Sequence, residues 1–303
     1  NNAVEMFDLP NNTPKINMEG IPKIKSKSKV RKENDEQRYN VLVLDTSASS
    51  SFLDSSGNIF YTADTAIDYV KASAKKFIEG VQKADGTNYV AIVEYKGSTA
   101  NVVSEFSTDF VSLNAAIDGL YASQNTRNVA AGLQKADTLI NEISNPKAIK
   151  NVVLFTTGMT NDGEYSYDGH YNEDTIGSEW RRSDTQVRLY AYSNAAYAMA
   201  ETLKSKAAVY SVGLFQMMEN MPEEGLEIVQ FFKLFSSELA TSLEHFYDVK
   251  DPNDLEFIFG EIADKVTTKD VNFYFASGEE KDYEAVCHYS DNYFRKTSCG
   301  TRQ

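Results

Sequence analysis

The residues that could do chemistry are concentrated where one apolar run ends. Val41–Leu44 is a continuous apolar segment, and Asp45, Ser47 and Ser49 follow it in the pattern Asp-x-Ser-x-Ser. One carboxylate and two hydroxyls at alternate positions of a tight loop can face a single point. Such hard oxygen ligands suit Mg²⁺, Mn²⁺ or Ca²⁺. The pattern therefore predicts a divalent-cation site at the end of this segment.

The elements that must position these residues are strands of a mostly parallel sheet. A short apolar run that ends in hydroxyl residues is typical of a buried parallel strand, and open α/β sheets bind ligands at the carboxyl ends of such strands. Tyr89–Tyr95, Val152–Phe155 and Val209–Leu214 have the same apolar character. Thr99–Ser107 alternates apolar with polar residues, which predicts an antiparallel strand at the edge of the sheet.

Amphipathic segments separate these strands. The predicted helices are Thr62–Lys83, Phe110–Leu120, Val129–Ile143, Val187–Lys206, Leu226–Leu239 and Asp254–Val266. Strands that alternate with helices of this length predict an α/β fold of the Rossmann-like, doubly wound type, with helices on both faces of the sheet. Asn272–Ala276 and Tyr283–Tyr289 alternate like strands without a following helix, and they predict a small β extension at the C-terminus.

The chain divides into three expected regions. Residues 1–38 contain three prolines and no long apolar period, which indicates an N-terminal arm or linker. Residues 39–267 hold the α/β domain. Residues 268–303 are a β-rich extension or the start of a following domain.

Composition excludes several classes of function. The formal net charge of −14 argues against a general nucleic-acid or anionic-membrane binder, and no apolar stretch approaches the length of a membrane span. The three histidines are scattered, and the G-x-S-x-G, P-loop and C-x-x-C motifs are absent, so we expect no enzyme active site. The acidic surface rich in Tyr, Asn and Ser is typical of exported Gram-positive proteins, which predicts an extracellular or cell-wall-attached location.

Four motifs occur in a fixed order between residues 39 and 267. They are D-T-S-A-S at Asp45–Ser49, N-T-R-N-V-A-A-G-L at Asn125–Leu133, V-V-L-F-T-T-G at Val152–Gly158 and V-Y-S-V-G-L-F at Val209–Phe215. In content and order they resemble the von Willebrand factor type A (vWA) domains. The closest resemblance is to the type A domains of secreted or wall-attached Gram-positive proteins, including pilus-tip adhesins.

This resemblance implies a metal-ion-dependent adhesion site at the top edge of the sheet. By motif match, the metal ligands would be Asp45, Ser47 and Ser49 of the first loop, Thr126 of the second loop and Thr157 of the third. The implied cofactor is a divalent cation, Mg²⁺, Mn²⁺ or Ca²⁺.

Two departures from the family's pattern weaken this site. Counting along the second motif places Arg127, rather than Thr126, at the threonine position. Thr157 stands where the family usually has Asp, so the second carboxylate is missing and cation affinity should fall. Asp162 or Glu164 could replace it from further along the loop.

The resemblance leaves two functions open. The first is an extracellular adhesion module that engages a protein or glycan ligand, through a ligand carboxylate on the metal. The alternative is a structural or regulatory vWA domain of a larger secreted protein, including one with a lipase-like hydrolytic domain, in which the metal site is vestigial. Metal-dependent thermal stabilisation would distinguish the two, because a ligand bound only to the native state must stabilise it.

Two further features each have more than one interpretation. The long insert Asn161–Asp184 is rich in acidic and aromatic residues. It is a recognition surface, a calcium-stabilised loop, or a solvated insertion with a few aromatics packed on the rim of the sheet. Cys287 and Cys299 bracket a plausible hairpin, as a disulfide or as free thiols.

Overall fold

The computed structural model describes residues 36–48, 52–53, 59–60, 63–176, 184–214, 223–276, 282–289 and 300–301. These residues form two compact units: the larger extends to Thr268, and the smaller contains the last three strands. Most of the predicted N-terminal arm, residues 1–35, lies outside the described residues, as does Ser49.

The larger unit is built on a six-stranded sheet. The larger unit contains eight strands within the described residues: β1 (Gln37–Asp45), β2 (Phe52–Leu53), β3 (Ile59–Phe60), β4 (Thr87–Lys96), β5 (Thr99–Ser107), β6 (Ile149–Thr156), β7 (Ala208–Leu214) and β8 (Phe246–Val249). The short strands β2 and β3 pair with each other. The other six form the order β5-β4-β1-β6-β7-β8, in which only β5 is antiparallel to its neighbour.

Helices cover both faces of this sheet. They are α1 (Ala63–Lys83), α2 (Phe110–Asp118), α3 (Val129–Asn141), α4 (Glu173–Ile176), α5 (Asp184–Lys204), α6 (Glu223–Leu239) and α7 (Leu255–Thr267). Helices α1, α2 and α7 share one apolar core with the sheet, and α3, α5 and α6 share the other. The predicted Rossmann-like doubly wound fold is therefore confirmed.

The central strand β1 explains why the apolar run is continuous. Val41 and Val43 belong to the core under α3, whereas Leu42 and Leu44 belong to the core under α1, and all four side chains are fully buried. Successive residues of a strand point to opposite faces, so a strand covered on both sides needs apolar residues at every position.

Glycine brings α3 close to the sheet. A Cβ atom at position 132 would lie 2.9 Å from Cγ1 of Val43 and 3.0 Å from Cδ1 of Tyr95, closer than packed side chains tolerate. Gly132 therefore lets the first turns of α3 approach β1 and β4 near their carboxyl ends.

Several element ends differ from the prediction. Strand β1 begins at Gln37, so it extends two residues into the segment assigned to the arm. Arg38 is fully buried there and donates to the carbonyl of Asp85 at 2.8 Å and to Glu36 Oε2 at 2.7 Å. An arginine can occupy a buried strand end because these acceptors compensate its charge and its terminal nitrogens, although its Nε has no hydrogen-bond partner within the described residues.

The smaller unit is a three-stranded antiparallel sheet. Its strands are β9 (Lys269–Ala276), β10 (Asp282–Tyr289) and β11 (Gly300–Thr301), in the order β11-β10-β9. They include both strands that the sequence predicts in this region. Cys299 lies outside the described residues, so the disulfide with Cys287 and the two free thiols both stay open as interpretations. No helix in the described part of the chain is both long and apolar enough to cross a bilayer.

Candidate functional site

Three loops meet at the carboxyl edge of the sheet, and backbone hydrogen bonds join the first two. The amide of Ala48, after β1, donates to the carbonyl of Gln124 at 2.7 Å. The amide of Ser123 donates to the carbonyl of Thr46 at 3.1 Å, and the amide of Thr46 donates to the carbonyl of Tyr95 at 3.1 Å. The loop after β1 is thereby held against the loop before α3.

The carboxylate of Asp45 lies at the centre of this edge and is 1 % exposed. Its Oδ1 accepts from the amide of Ser47 at 3.0 Å and from the Ser47 hydroxyl at 2.6 Å. Its Oδ2 accepts from the amide of Thr157 at 3.1 Å and from the Thr157 hydroxyl at 2.8 Å. An ionised carboxylate offers about four lone-pair sites, so these hydrogen bonds occupy the acceptor capacity of Asp45.

The guanidinium of Arg127 completes the cluster. Its Nε lies 3.3 Å from Oδ2 of Asp45 and donates to the Ser47 hydroxyl at 3.3 Å. The arginine is buried, and a Cβ atom at position 158 would overlap its Nη1. Arg127 thus contacts two of the predicted metal ligands, Asp45 and Ser47, and packs against Gly158.

The third loop holds the backbone of Arg127 in place. Asn161 Oδ1 accepts from the amide of Arg127 at 2.8 Å, and the amide of Asn161 donates back to the carbonyl of Arg127 at 3.0 Å. The hydroxyl of Thr160 donates to the same carbonyl at 3.2 Å. Asn128, the residue after Arg127, caps α3 because its Oδ1 accepts from the amide of Ala131 at 3.0 Å. These bonds fix the point from which the arginine side chain extends.

Thr126 turns toward the third loop instead of toward Asp45. Its hydroxyl donates to Oδ2 of Asp162 at 2.6 Å, and Oδ1 of Asp162 accepts from the amide of Gly163 at 2.7 Å. The structure therefore brings Asp45, Ser47 and Thr157 together and pairs Thr126 with Asp162. The carboxylate of Asp162 binds this hydroxyl, and Glu164 is exposed.

The described geometry does not fit a divalent cation beside Asp45. A dication there would need the same carboxylate and hydroxyl oxygens that Arg127 contacts, and the two positive charges would repel. Within the described ranges, no group of three or more His, Cys, Asp or Glu side chains could hold a metal ion. The predicted metal ligands remain a prediction, and their present arrangement suits a guanidinium.

Tyr95 lies beside the charge pair and adds no charge of its own. Its hydroxyl donates to the carbonyl of Phe155 at 2.8 Å. Complete burial, and next the negative charge of Asp45, raise the pKa of Tyr95 well above its ordinary value of 10.0. The phenol is therefore neutral throughout the physiological pH range.

The insert after the third loop is anchored by one buried tyrosine. Tyr171 is 1 % exposed, and its hydroxyl donates to Oε2 of Glu238 in α6 at 2.7 Å. Its amide donates to Oδ1 of Asn194 in α5 at 2.7 Å. The ring of His170 stacks on Tyr197 with centroids 3.8 Å apart. This agrees with the interpretation in which aromatics of the insert pack onto the domain.

Other tyrosines of the insert remain on the surface. Tyr165 and Tyr167 are 59 % and 45 % exposed. The ring of Tyr165 meets those of Tyr167 and Tyr192 edge-on, at centroid distances of 5.7 and 5.6 Å. We call Tyr165, Tyr167 and Tyr192 the tyrosine cluster. It begins three residues beyond Asp162, where the insert leaves the edge of the sheet.

The sequence alone does not identify Arg127 as the partner of Asp45, because the arginine stands out there only as a departure from the second motif. The available signal was charge balance, because the second loop gains a positive residue where the third loop loses a negative one. One carboxylate then remains for one guanidinium.

Comparison with known proteins identifies the fold family. Residues 40–160 match the von Willebrand factor type A domain family. The collagen alpha-1(VI) chain of Xenopus laevis is 25 % identical over 99 residues, which is 32 % of this chain but only 10 % of that relative. The match therefore concerns one domain of a much longer protein.

Solved structures show the same fold at low sequence identity. The vWF domain of the type V pili tip protein Mfa5 from Porphyromonas gingivalis has a TM-score of 0.57 at 15 % identity, covering 77 % of this chain and 95 % of that one. The pilus adhesin SpaC from Lactobacillus rhamnosus GG has a TM-score of 0.58 at 14 % identity, covering 84 % of this chain and 36 % of that one. The PilB minor pilin from Streptococcus sanguinis has a TM-score of 0.54 at 14 % identity, covering 77 % and 62 %. Residues 40–160 therefore match the von Willebrand factor type A domain family, and the six-stranded sheet with its helices has the fold of these solved structures.

Proposed function

We propose that this domain is an extracellular binding module of a surface or pilus protein of the Gram-positive type, and that it engages a protein or glycan ligand. The same fold occurs in the pilus adhesin SpaC and in the pili tip protein Mfa5. The observation that carries the proposal is the exposed tyrosine cluster, which follows the carboxyl edge of the sheet, where α/β folds bind their ligands.

Anchored tyrosines suit recognition for a physical reason. A tyrosine presents a large amphipathic face with few rotatable bonds, so it gains contact area at a small entropic cost. Because Tyr171 and Asn194 hold the insert on α5 and α6, less ordering is required when a ligand binds. The tyrosine cluster therefore supports a preformed contact surface.

The metal-dependent form of this proposal requires a change at the edge. Its ligand set is Asp45, Ser47, Ser49, Thr126 and Thr157, with Mg²⁺, Mn²⁺ or Ca²⁺ and a carboxylate from the bound partner. The guanidinium of Arg127 would first have to leave Asp45 and Ser47. The form that the geometry supports best uses the surface tyrosines and needs no cation.

Binding arrays test this proposal. The full chain would be screened against arrays of cell-surface glycans and of purified extracellular-matrix proteins, and the strongest binder would be measured on a biosensor. The double substitution of Tyr165→Ala and Tyr167→Ala should weaken that binding about tenfold or more, because exposed aromatic anchors dominate interface energies. Leu243→Ala is the control, since Leu243 is 78 % exposed and precedes β8, at the opposite edge of the sheet. Equal loss in both variants, or no saturable binder, would contradict the proposal.

The ion pair of Arg127 with Asp45 favours one second candidate. An edge whose charges are already balanced suits a structural or regulatory domain within a larger secreted protein, with a vestigial metal site. That candidate predicts normal folding, no ligand on the arrays and no effect of the tyrosine substitutions beyond stability. Neither candidate involves catalysis by this chain.

A further inference from the structure

We propose that Arg127 is the resident cation of this edge, and that its guanidinium takes the place of the divalent ion around which the three loops would otherwise assemble. The inference concerns how the edge is held together, and it stands independently of the ligand proposed above. Its starting point is the position of Nε of Arg127, 3.3 Å from both Asp45 Oδ2 and Ser47 Oγ.

Charge balance supports this assignment. Asp45 is 1 % exposed, and a buried carboxylate needs a positive partner because desolvation strongly disfavours an isolated charge. One guanidinium beside one carboxylate gives a neutral pair, whereas a dication beside Asp45 alone would leave an excess positive charge. Thr157 contributes two hydrogen-bond donors to Asp45 in place of a second negative charge. The third loop is thus suited to a single carboxylate paired with a monovalent cation.

The surroundings of Arg127 are shaped for its side chain. Gly158 leaves the space that Nη1 occupies, since any Cβ atom there would overlap it. Asn161 and Thr160 bind the backbone of Arg127 from the third loop. The arginine therefore connects all three loops: it is held by the third through its backbone and contacts the first through its guanidinium.

A metal-independent edge follows from this arrangement. Chelators should leave the loops assembled, and divalent cations should find no vacant set of oxygen ligands at Asp45. Removing the guanidinium should have the opposite effect, because it leaves a buried carboxylate beside hydroxyls, which suits a hard dication.

Thermal unfolding of the full chain in EDTA and in millimolar Mg²⁺, Mn²⁺ or Ca²⁺ tests the inference. The wild-type Tm should be the same in all four conditions. Arg127→Thr should lower the Tm by about 10 °C in EDTA, because it breaks a buried ion pair, and a dication should restore part of that loss.

Arg38→Thr is the matched control. Arg38 is also a buried arginine of the same domain, paired with Glu36 at the opposite end of β1. Its replacement should lower the Tm without any recovery in divalent cations. Recovery in both variants would show a general salt effect and overturn the inference.

Two other results would also overturn it. A cation-dependent rise in the wild-type Tm would mean that metal displaces Arg127, and an Arg127→Thr variant that folds but gains nothing from cations would mean that the position is not equivalent to a metal site. Should Arg127→Thr fail to fold, titration of wild type with Mn²⁺, followed by electron paramagnetic resonance, decides. The free-ion signal should stay unreduced, and stoichiometric loss of that signal refutes the inference.

Discussion

The buried ion pair of Asp45 with Arg127 determines how the loops at the carboxyl edge of the sheet are held together. A buried ion pair contributes little net stability relative to a well-packed apolar pair, but breaking it by removing one partner typically costs about 3–5 kcal/mol. Its main effect here is on specificity, because the hydrogen bonds of Asp45 are satisfied only when the loops carrying Ser47 and Thr157 are in place. The pair therefore favours this one arrangement of the loops over others.

Gly158→Ala should destabilise the domain through Arg127. The added methyl group would overlap Nη1, so either the guanidinium or the third loop must shift. Overpacking of this kind costs about 1–3 kcal/mol, which chemical denaturation measures directly. Gly119→Ala is the control, because its nearest atom would be the carbonyl oxygen of Ala116 at 3.4 Å and its φ is −75°. The control should change the free energy of unfolding by less than about 0.5 kcal/mol.

A double-mutant cycle assigns this cost to the arginine. In an Arg127→Thr background, Gly158→Ala should lose most of its effect, because the overlapping atom is gone. An unchanged cost would place the strain in the backbone of the third loop, contrary to our account.

Site residues were only partly predictable from sequence. Asp45, Ser47 and Thr157 meet because they lie at the carboxyl ends of β1 and β6, whose parallel direction the apolar pattern predicts. The direction of a side chain such as Thr126, which binds Asp162 instead, depends on tertiary contacts that a motif does not encode. For the same reason, the partner of Arg127 could not be read from its position in the chain.

The described part of the insert, residues 161–176, makes more contacts with the domain than its polar composition indicates. Its anchor is the buried ring of Tyr171, which lies edge-on to Phe231 at a centroid distance of 4.9 Å and bonds to Glu238. Asn194 accepts from the amide of Tyr171, and its side-chain amide donates to the carbonyl of Ser166 at 2.8 Å. These contacts join the insert to α5 and α6.

Tyr171→Phe should reduce stability by about 1.5–3 kcal/mol at neutral pH. The substitution keeps the ring but removes the hydrogen bond to Glu238, and hydrogen bonds to charged groups contribute in this range. Tyr165→Phe, on an exposed ring of the same insert, should be neutral within about 0.5 kcal/mol. Urea unfolding of the three proteins measures the difference, and equal stabilities would contradict the anchoring role.

The same pair of variants has a predicted pH dependence. Burial, and next the bond to Glu238, raise the pKa of Tyr171 above its ordinary value of 10.0. Below pH 10 the phenol is protonated in both the folded and unfolded states, so its contribution is complete. Above pH 10 the unfolded chain ionises first, and stability falls by up to about 1.4 kcal/mol per pH unit. The advantage of wild type over Tyr171→Phe should therefore shrink as pH rises above 10.

The elements themselves followed closely from the sequence. The edge strand Thr99–Ser107 has the predicted bounds, and the four apolar runs all lie in strands of the sheet, because period-two patterns and continuous apolar runs reflect burial directly. The predicted helix ends were less accurate. Helix α5 begins at Asp184, three residues before the predicted Val187, and α3 ends at Asn141, two residues before the predicted Ile143. Polar residues at helix ends carry little periodic signal, and local capping decides the boundary.

Across the molecule, the order of strands in the sheet concentrates the polar site residues at one edge. Strands β1 and β6 are parallel neighbours, so Ser47 and Thr157, which follow them, meet at Asp45, and the loop before α3 adds Arg127. The net charge of −14 would favour general attraction of cations, whereas the buried pair removes the negative charge of Asp45 from the edge. Any cation binding elsewhere on this acidic surface should be weak and screened by salt.

The occupant of the position beside Asp45 can be measured most directly by crystallography of the full chain in millimolar Mn²⁺. An anomalous difference map at the manganese absorption edge separates a metal ion from a side chain without ambiguity. We predict no anomalous peak within ligand distance of Asp45 and clear density for the Arg127 guanidinium between Asp45, Ser47 and Gly158. An anomalous peak at that position, with Arg127 turned away from Asp45, would contradict the central claim that the arginine replaces the metal.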